Sequence, residues 1–221
     1  MSLNRAYIES GLLKQMVDIP KIGLNILTEE QLQISISETL KQQPANSDIW
    51  IFAYGSLIWN PIFKFVERRV GTIKGWQRKF CLLAPVVRGT RENPGLFLGL
   101  ETGGHCQGIV YRIEKANIAD ELSLIWRREM IVGSYVPVWV KVIDGEAEID
   151  AITFAINHNH RMYAGNLPPD VVVNQIATAS GELGTCADYL KQTVEGLKIA
   201  GLVDEELFEL HNQVTQLSNI S

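Results

Sequence analysis

Two apolar runs, residues 138–143 and 149–156, are separated by little more than the dipeptide Asp144-Gly145. Asp-Gly favours the left-handed backbone of a tight turn, so the two runs read as neighbouring antiparallel strands. Glu101-Thr102-Gly103-Gly104 offers a second turn of this kind, between 96–100 and 107–112. Residues 80–83 and the apolar run Ile49-Trp50-Ile51-Phe52-Ala53 read as further strands. Helices are predicted at 117–130 and, beyond Pro168-Pro169, at 171–179, 188–200 and 204–217. The expected architecture is α+β: a curled or closed, mostly antiparallel β-barrel flanked by helices.

Residues 1–47 are polar and Gln-rich, and Thr28-Glu29-Glu30-Gln31 has the pattern of a capping box. They are expected to form a peripheral helical arm whose deletion leaves the activity intact. A breaker-rich stretch at 41–48 then leads into a catalytic domain over 48–221.

Composition removes several functions. The formal charge of −5 is spread along the chain, which disfavours nucleic acid as a primary partner. No apolar stretch approaches the roughly 20 residues of a membrane span. The first thirty residues lack the apolar core of a secretory signal. Cys81, Cys106 and Cys186 are odd in number, far apart and without metal-ligand spacing, so they read as reduced thiols in a cytoplasmic protein.

Within the helix at 117–130, Ile118 is set at zero and each residue adds about 100°. Leu122, Ile125 and Trp126 then fall at about 40°, 340° and 80°, an apolar stripe, with Asp120 and Arg127 opposite at about 200° and 180°. Glu129 lands at about 20°, inside the stripe. A carboxyl among core-facing residues has its pKa pushed toward neutrality by desolvation, which makes Glu129 a candidate general acid and base. Two plainer readings stand beside this one: the helix ends before Glu129, or Arg128 pairs with it as a structural ion pair.

Tyr54-Gly55-Ser56-Leu57 follows the strand that ends at Ala53. Gly55 lets backbone approach a ligand, and successive N–H groups in such a bend can hold a carboxylate; an ordinary strand-to-turn transition has the same sequence. Ser56 does not make a hydrolase elbow, because the pattern G-x-S-x-G would need glycine at Tyr54 and Ile58. His158 and His160 have no carboxylate or thiol near them in sequence and read as solvated loop residues, with no metal site. The two arginines of Arg88-Gly89-Thr90-Arg91-Glu92-Asn93-Pro94-Gly95 can each fork onto a carboxylate. Tyr135 and Tyr163 are phenols at loop positions near glycines.

Taken together, Tyr54 to Pro61, Arg88 to Gly95, Gly108-Ile109-Val110-Tyr111-Arg112 and Trp126-Arg127-Arg128-Glu129-Met130 resemble the ChaC family of glutathione-specific γ-glutamylcyclotransferases. The resemblance runs from about residue 49 to about residue 190 and rests on the order and spacing of several motifs. It implies cleavage of the γ-glutamyl amide of glutathione to 5-oxoproline and cysteinylglycine, with no metal or organic cofactor. It also implies a γ-glutamyl-binding loop at Tyr54, Gly55, Ser56, Leu57 and Ile58, next to Ala53, and a catalytic glutamate at Glu129. Gly133 with Tyr135, and Tyr163 with Gly165, match further family positions.

Two positions depart from the family pattern. Ala53 stands where a glycine is frequent, and Cys186 stands where an asparagine would close Ser-Gly-x-x-Gly-x-Asn. Two other functions remain open on this reading: cyclisation of another γ-glutamyl amine or amino acid, and non-catalytic regulation of cation transport through the arm and acidic surface.

Overall fold

The computed structural model describes residues 3–17, 23–45, 47–145 and 147–218; residues 1–2, 18–22, 46, 146 and 219–221 lie outside it. Short helices α1 (Arg5–Glu9) and α2 (Leu12–Val17) precede α3 (Glu29–Lys41). The Thr28 hydroxyl accepts from the Gln31 N–H and the Gln31 side chain accepts from the Thr28 N–H, the reciprocal cap that starts α3.

Five strands, β1 (Trp50–Ala53), β2 (Glu67–Ala84), β3 (Gly95–Arg112), β4 (Tyr135–Asp144) and β5 (Ala147–Ile156), close into a barrel in the order β1-β3-β2-β4-β5. Every neighbouring pair is antiparallel except β1 with β5, which close it in parallel at Ile51 and Ile152. This is the mostly antiparallel barrel that the strand pattern predicts. Asp144 pairs with Ala147 across the hairpin, and Gly145 has φ of 62°, the left-handed backbone for which Asp-Gly is suited.

The second expected hairpin is not a turn. β3 passes through Glu101, Thr102, Gly103 and Gly104 without interruption, still paired to β2. Gly103 and Gly104 have φ of 124° and 56°, but the backbone uses them for a bulge: the register shifts between Lys74 and Trp76, which pair with His105 and Thr102. A bulge and a turn call for the same glycines, and only the pairing partner tells them apart. That partner was hidden, because the first half of β2 starts Glu67-Arg68-Arg69 and is largely exposed. The actual hairpin loop is 85–94, where the Thr90 N–H donates to the Asn93 carbonyl at 3.0 Å.

α4 (Ile118–Glu129) follows β3, and α5 (Pro169–Thr178), α6 (Cys186–Ile199) and α7 (Glu205–Ser218) follow β5. Between α5 and α6 lie two-residue strands β6 (Ser180–Gly181) and β7 (Gly184–Thr185), docked beside the β2–β3 loop by the Glu182 and Leu183 N–H groups, which donate to the Val86 and Val87 carbonyls. The expected N-terminal arm is part of the core in space: Ile8, Leu13, Val17, Leu32 and Ile36 join the barrel's apolar cluster. Arg5 pairs at 2.7 Å with Glu121, which is 2% exposed and also accepts the Lys64 N–H. Among the described residues, no helix is long and apolar enough to cross a membrane.

Candidate active site

β1 delivers the chain into the barrel mouth, and the bend after Ala53 is held from inside. The Ile58 N–H donates to the Gly55 carbonyl and the Asn60 N–H to the Ser56 carbonyl, both at 2.9 Å. The Tyr54 phenol donates to the Phe154 carbonyl at 2.7 Å, and Tyr111 reaches the carbonyls of Leu57 and Ile58. Among the described residues, the N–H groups of Gly55, Ser56 and Leu57 have no protein acceptor. Arg78, with a side chain 5% exposed, donates to the Tyr54 and Gln107 carbonyls and pairs through Nε with Asp204 at 3.0 Å.

Glu129 is the last residue of α4. The apolar stripe of the helical wheel is buried: Leu122, Ile125 and Trp126 are fully inaccessible, and the Trp126 ring meets Phe154 edge-on at 5.0 Å. The Glu129 side chain, on the same side, is 15% exposed. The ion-pair reading of this carboxyl is present in the structure, since Arg128 Nε lies 3.1 Å from Glu129 Oε1. The rest of the Arg128 guanidinium donates to the Asn60 carbonyl and the Ser56 hydroxyl, each at 2.8 Å, and so ties the helix end to the bend. Burial pushes the Glu129 carboxyl above its ordinary range, and Arg128 opposes the shift without cancelling it.

Glu129 and Tyr135 stand at the two ends of one short connection. Asn157, just past β5, clamps it by donating its N–H to the Ser134 carbonyl at 2.9 Å and its amide to the Gly133 carbonyl at 3.0 Å. The Tyr135 phenol donates to the Leu98 carbonyl at 2.7 Å. Burial raises the phenols of Tyr54, Tyr135 and Tyr189 well above their usual range, which keeps all three protonated.

An outer cavity of about 330 Å³ and an inner one of about 30 Å³ meet at this point, sharing Ser56, Glu129, Tyr135 and Tyr189 as walls. Ala53, Tyr54, Gly55 and Leu57 line the inner chamber. Arg88 lines the outer one, donating to the Thr185 carbonyl at 3.2 Å, with Asp188 on the same wall. Ile58 lines neither chamber and points toward Gly196 of α6.

Tyr163 also lies outside both linings, since its ring packs on His158 at 4.8 Å and its hydrogen bond to Glu101, with burial second, pushes the phenol up to about 12. His158 is half exposed, as expected of a loop residue, but the long β3 brings it Glu101 at 2.8 Å, a carboxylate that nothing near it in sequence announced. Among the described residues, no group of three or more His, Cys, Asp or Glu could hold a metal ion.

Tyr189, absent from the sequence-based candidates, is a wall of both chambers. Burial raises its phenol, and the Leu98 backbone opposes that shift. The only local signal was an aromatic on the buried face of α6, which looks the same as ordinary core.

The ChaC-like protein family matches residues 49–217. The chain belongs to the ChaC family. A glutathione-specific γ-glutamylcyclotransferase from Escherichia coli K12 is 40% identical over 189 residues, which cover 85% of this chain and 82% of that protein. Arabidopsis thaliana γ-glutamylcyclotransferase 2-1 is 32% identical over 182 residues, covering 75% and 82% of the two chains. The crystal structure of a yeast γ-glutamyl cyclotransferase specific to glutathione superposes with a TM-score of 0.70 at 20% identity, over 77% of this chain and 97% of the other, so the fold is shared.

The two departures from the ChaC pattern have structural counterparts. Ala53 adds its methyl to the inner chamber wall. Cys186 is fully buried and its thiol donates to the Leu96 carbonyl at 3.1 Å, fastening the start of α6 to β3.

Proposed function

We propose that this chain is a glutathione-specific γ-glutamylcyclotransferase, cleaving the γ-glutamyl amide to 5-oxoproline and cysteinylglycine without metal or organic cofactor. The observation that carries this reading is a buried carboxyl, Glu129, sharing a chamber with a bend whose N–H groups are uncommitted. The names of the E. coli and yeast relatives support glutathione as the substrate. Buried, unpaired Cys81, Cys106 and Cys186 suit a cytoplasmic, reducing compartment.

No enzyme nucleophile is required. The substrate's α-amine attacks its own γ-carbonyl carbon, a five-membered ring closes, and the bond to the cysteinyl nitrogen breaks, so holding the chain folded supplies much of the acceleration. The Glu129 carboxylate takes the proton that the attacking amine loses and returns it to the departing nitrogen. N–H groups of Gly55, Ser56 and Leu57 hold the α-carboxylate, and Arg128, through Ser56 and Asn60, keeps bend and base in register. The Tyr189 hydroxyl, kept protonated by burial, donates to the γ-carbonyl oxygen as charge develops there. Tyr135 packs against the reacting end, and Arg88 faces the glycyl carboxylate in the outer cavity. An inner chamber of about 30 Å³ is too small for a tripeptide, so the body of the substrate occupies the outer cavity.

Purified protein incubated with reduced glutathione should release 5-oxoproline and cysteinylglycine in equal amounts, read by mass spectrometry. Release from γ-glutamyl-alanine but not from glutathione would replace the assignment with a broader cyclotransferase. No release from either would remove the enzymatic reading.

The pH profile gives a second check with a defined sign. A base works deprotonated, so kcat/KM should fall with acid along a limb set by Glu129, above the ordinary carboxylate value of 4.5 because burial raises it. Arg128 holds that pKa down, so Arg128→Met should move the limb to higher pH, and Arg128→Lys should restore it in part. A limb that stays in place in folded Arg128→Met protein would assign it to another group.

A further inference from the structure

The family match starts at residue 49, yet the outer cavity is walled in part by residues before it: Leu3, Leu13, Val17 and Leu24. All four are aliphatic, and no other described residue before 49 lines the cavity. They are held in place by specific bonds. Asn60, whose carbonyl receives Arg128, donates its amide to the Leu3 carbonyl at 2.6 Å. Arg5 is fixed on buried Glu121, and the Leu27 N–H donates at 2.9 Å to the carbonyl of Ile131, itself a cavity residue. Leu82, Phe97 and Met162 line the same cavity.

We infer that the N-terminal segment forms the subsite for the middle side chain of the tripeptide, and that its aliphatic wall selects a small apolar or thiol group there while rejecting a charged one. This rests on the proposed γ-glutamyl cyclisation, which puts the leaving dipeptide in the outer cavity. A thiol loses little on leaving water for a hydrocarbon wall, whereas a carboxylate or ammonium with no partner there is strongly disfavoured. The cavity also has polar walls, among them Arg88, Asp188 and Gln192, which are assigned to the ends of the peptide and leave the aliphatic N-terminal wall to the middle side chain. Leu3, Leu13, Val17 and Leu24 are then part of the active site, and the expectation that deleting 1–47 leaves activity intact is replaced by a loss of glutathione turnover.

The test uses the full-length parent protein with three tripeptides: glutathione, γ-glutamyl-2-aminobutyryl-glycine and γ-glutamyl-aspartyl-glycine. The first two should be cleaved with kcat/KM within about fivefold of each other, and the aspartyl peptide at least a hundredfold more slowly. Leu24→Lys, at a half-buried wall position, should then raise kcat/KM for the aspartyl peptide relative to glutathione by tenfold or more. Equal cleavage of all three peptides by the parent overturns the inference and leaves the cyclotransferase assignment standing. A Leu24→Lys protein that folds with an unchanged ratio also overturns it. Absence of 5-oxoproline from glutathione itself defeats the underlying reading instead.

Discussion

Glu129→Gln is expected to lower kcat for 5-oxoproline release by about 10²–10⁴-fold, the range that a positioned acid–base group contributes, while glutathione still binds. Glutamine keeps the size and planarity of the side chain and removes only the capacity to take and return a proton. The pocket should survive the change, because Arg128 keeps its bonds to the Asn60 carbonyl and Ser56 hydroxyl, and the helix beneath is anchored by Leu122, Ile125 and Trp126. Single-turnover assays for chemistry, and calorimetric titration with glutathione for binding, separate the two effects. Turnover within tenfold of the parent would falsify the assignment of Glu129. Lost binding with intact folding would make it a substrate ligand instead.

The second large effect is expected away from the chemistry, at Arg78. Its guanidinium spans the Tyr54 carbonyl at the start of the bend, the Gln107 carbonyl in β3 and the Asp204 carboxylate just before α7. Arg78→Leu leaves these acceptors without their donor in a buried setting, and breaking a buried pair from one side costs about 3–5 kcal/mol. At about 2–4 °C per kcal/mol for a chain of this size, the melting temperature should fall by roughly 6–20 °C. Asp204→Asn should cost less, since Asp204 is 22% exposed and Arg78 keeps both carbonyls. Because Tyr54 opens the bend, KM for glutathione should also rise in Arg78→Leu protein measured well below its melting temperature. A variant as stable as the parent would mean that water replaces the guanidinium without cost.

The two residues differ in how far the sequence reveals them. The side of α4 on which Glu129 lies follows from periodicity, because about 100° per residue places it among Leu122, Ile125 and Trp126 whatever the helix packs against. The Thr28–Gln31 cap, the Asp144-Gly145 hairpin and the strand leading into Tyr54-Gly55 were likewise readable, each depending on neighbours a few residues away. The ChaC resemblance added which of these elements belong to one site. Arg78 had no such signal: it lies in the half of a strand where Gln77, Arg78 and Lys79 look solvent-facing, and its three partners are 24 or more residues distant in sequence. Tyr163 shows the converse, a motif position that lies beside Glu101 and His158 and outside the lining of the chamber. At Gly103-Gly104 the sequence predicts a turn and the structure has a bulge, because glycine supplies left-handed backbone equally to both.

What the sequence determined by itself is local: the Asp144-Gly145 hairpin, the Thr28–Gln31 cap and the apolar face of α4, since rotation per residue and turn chemistry act over a few positions. Only the tertiary structure decided which faces meet. Barrel closure brings the bend after β1 against the end of α4, sets Tyr189 of α6 between them, and draws an N-terminal segment over the cavity. Contacts between segments so far apart in sequence depend on how the whole chain buries its apolar surface, and no window of neighbouring residues carries that information.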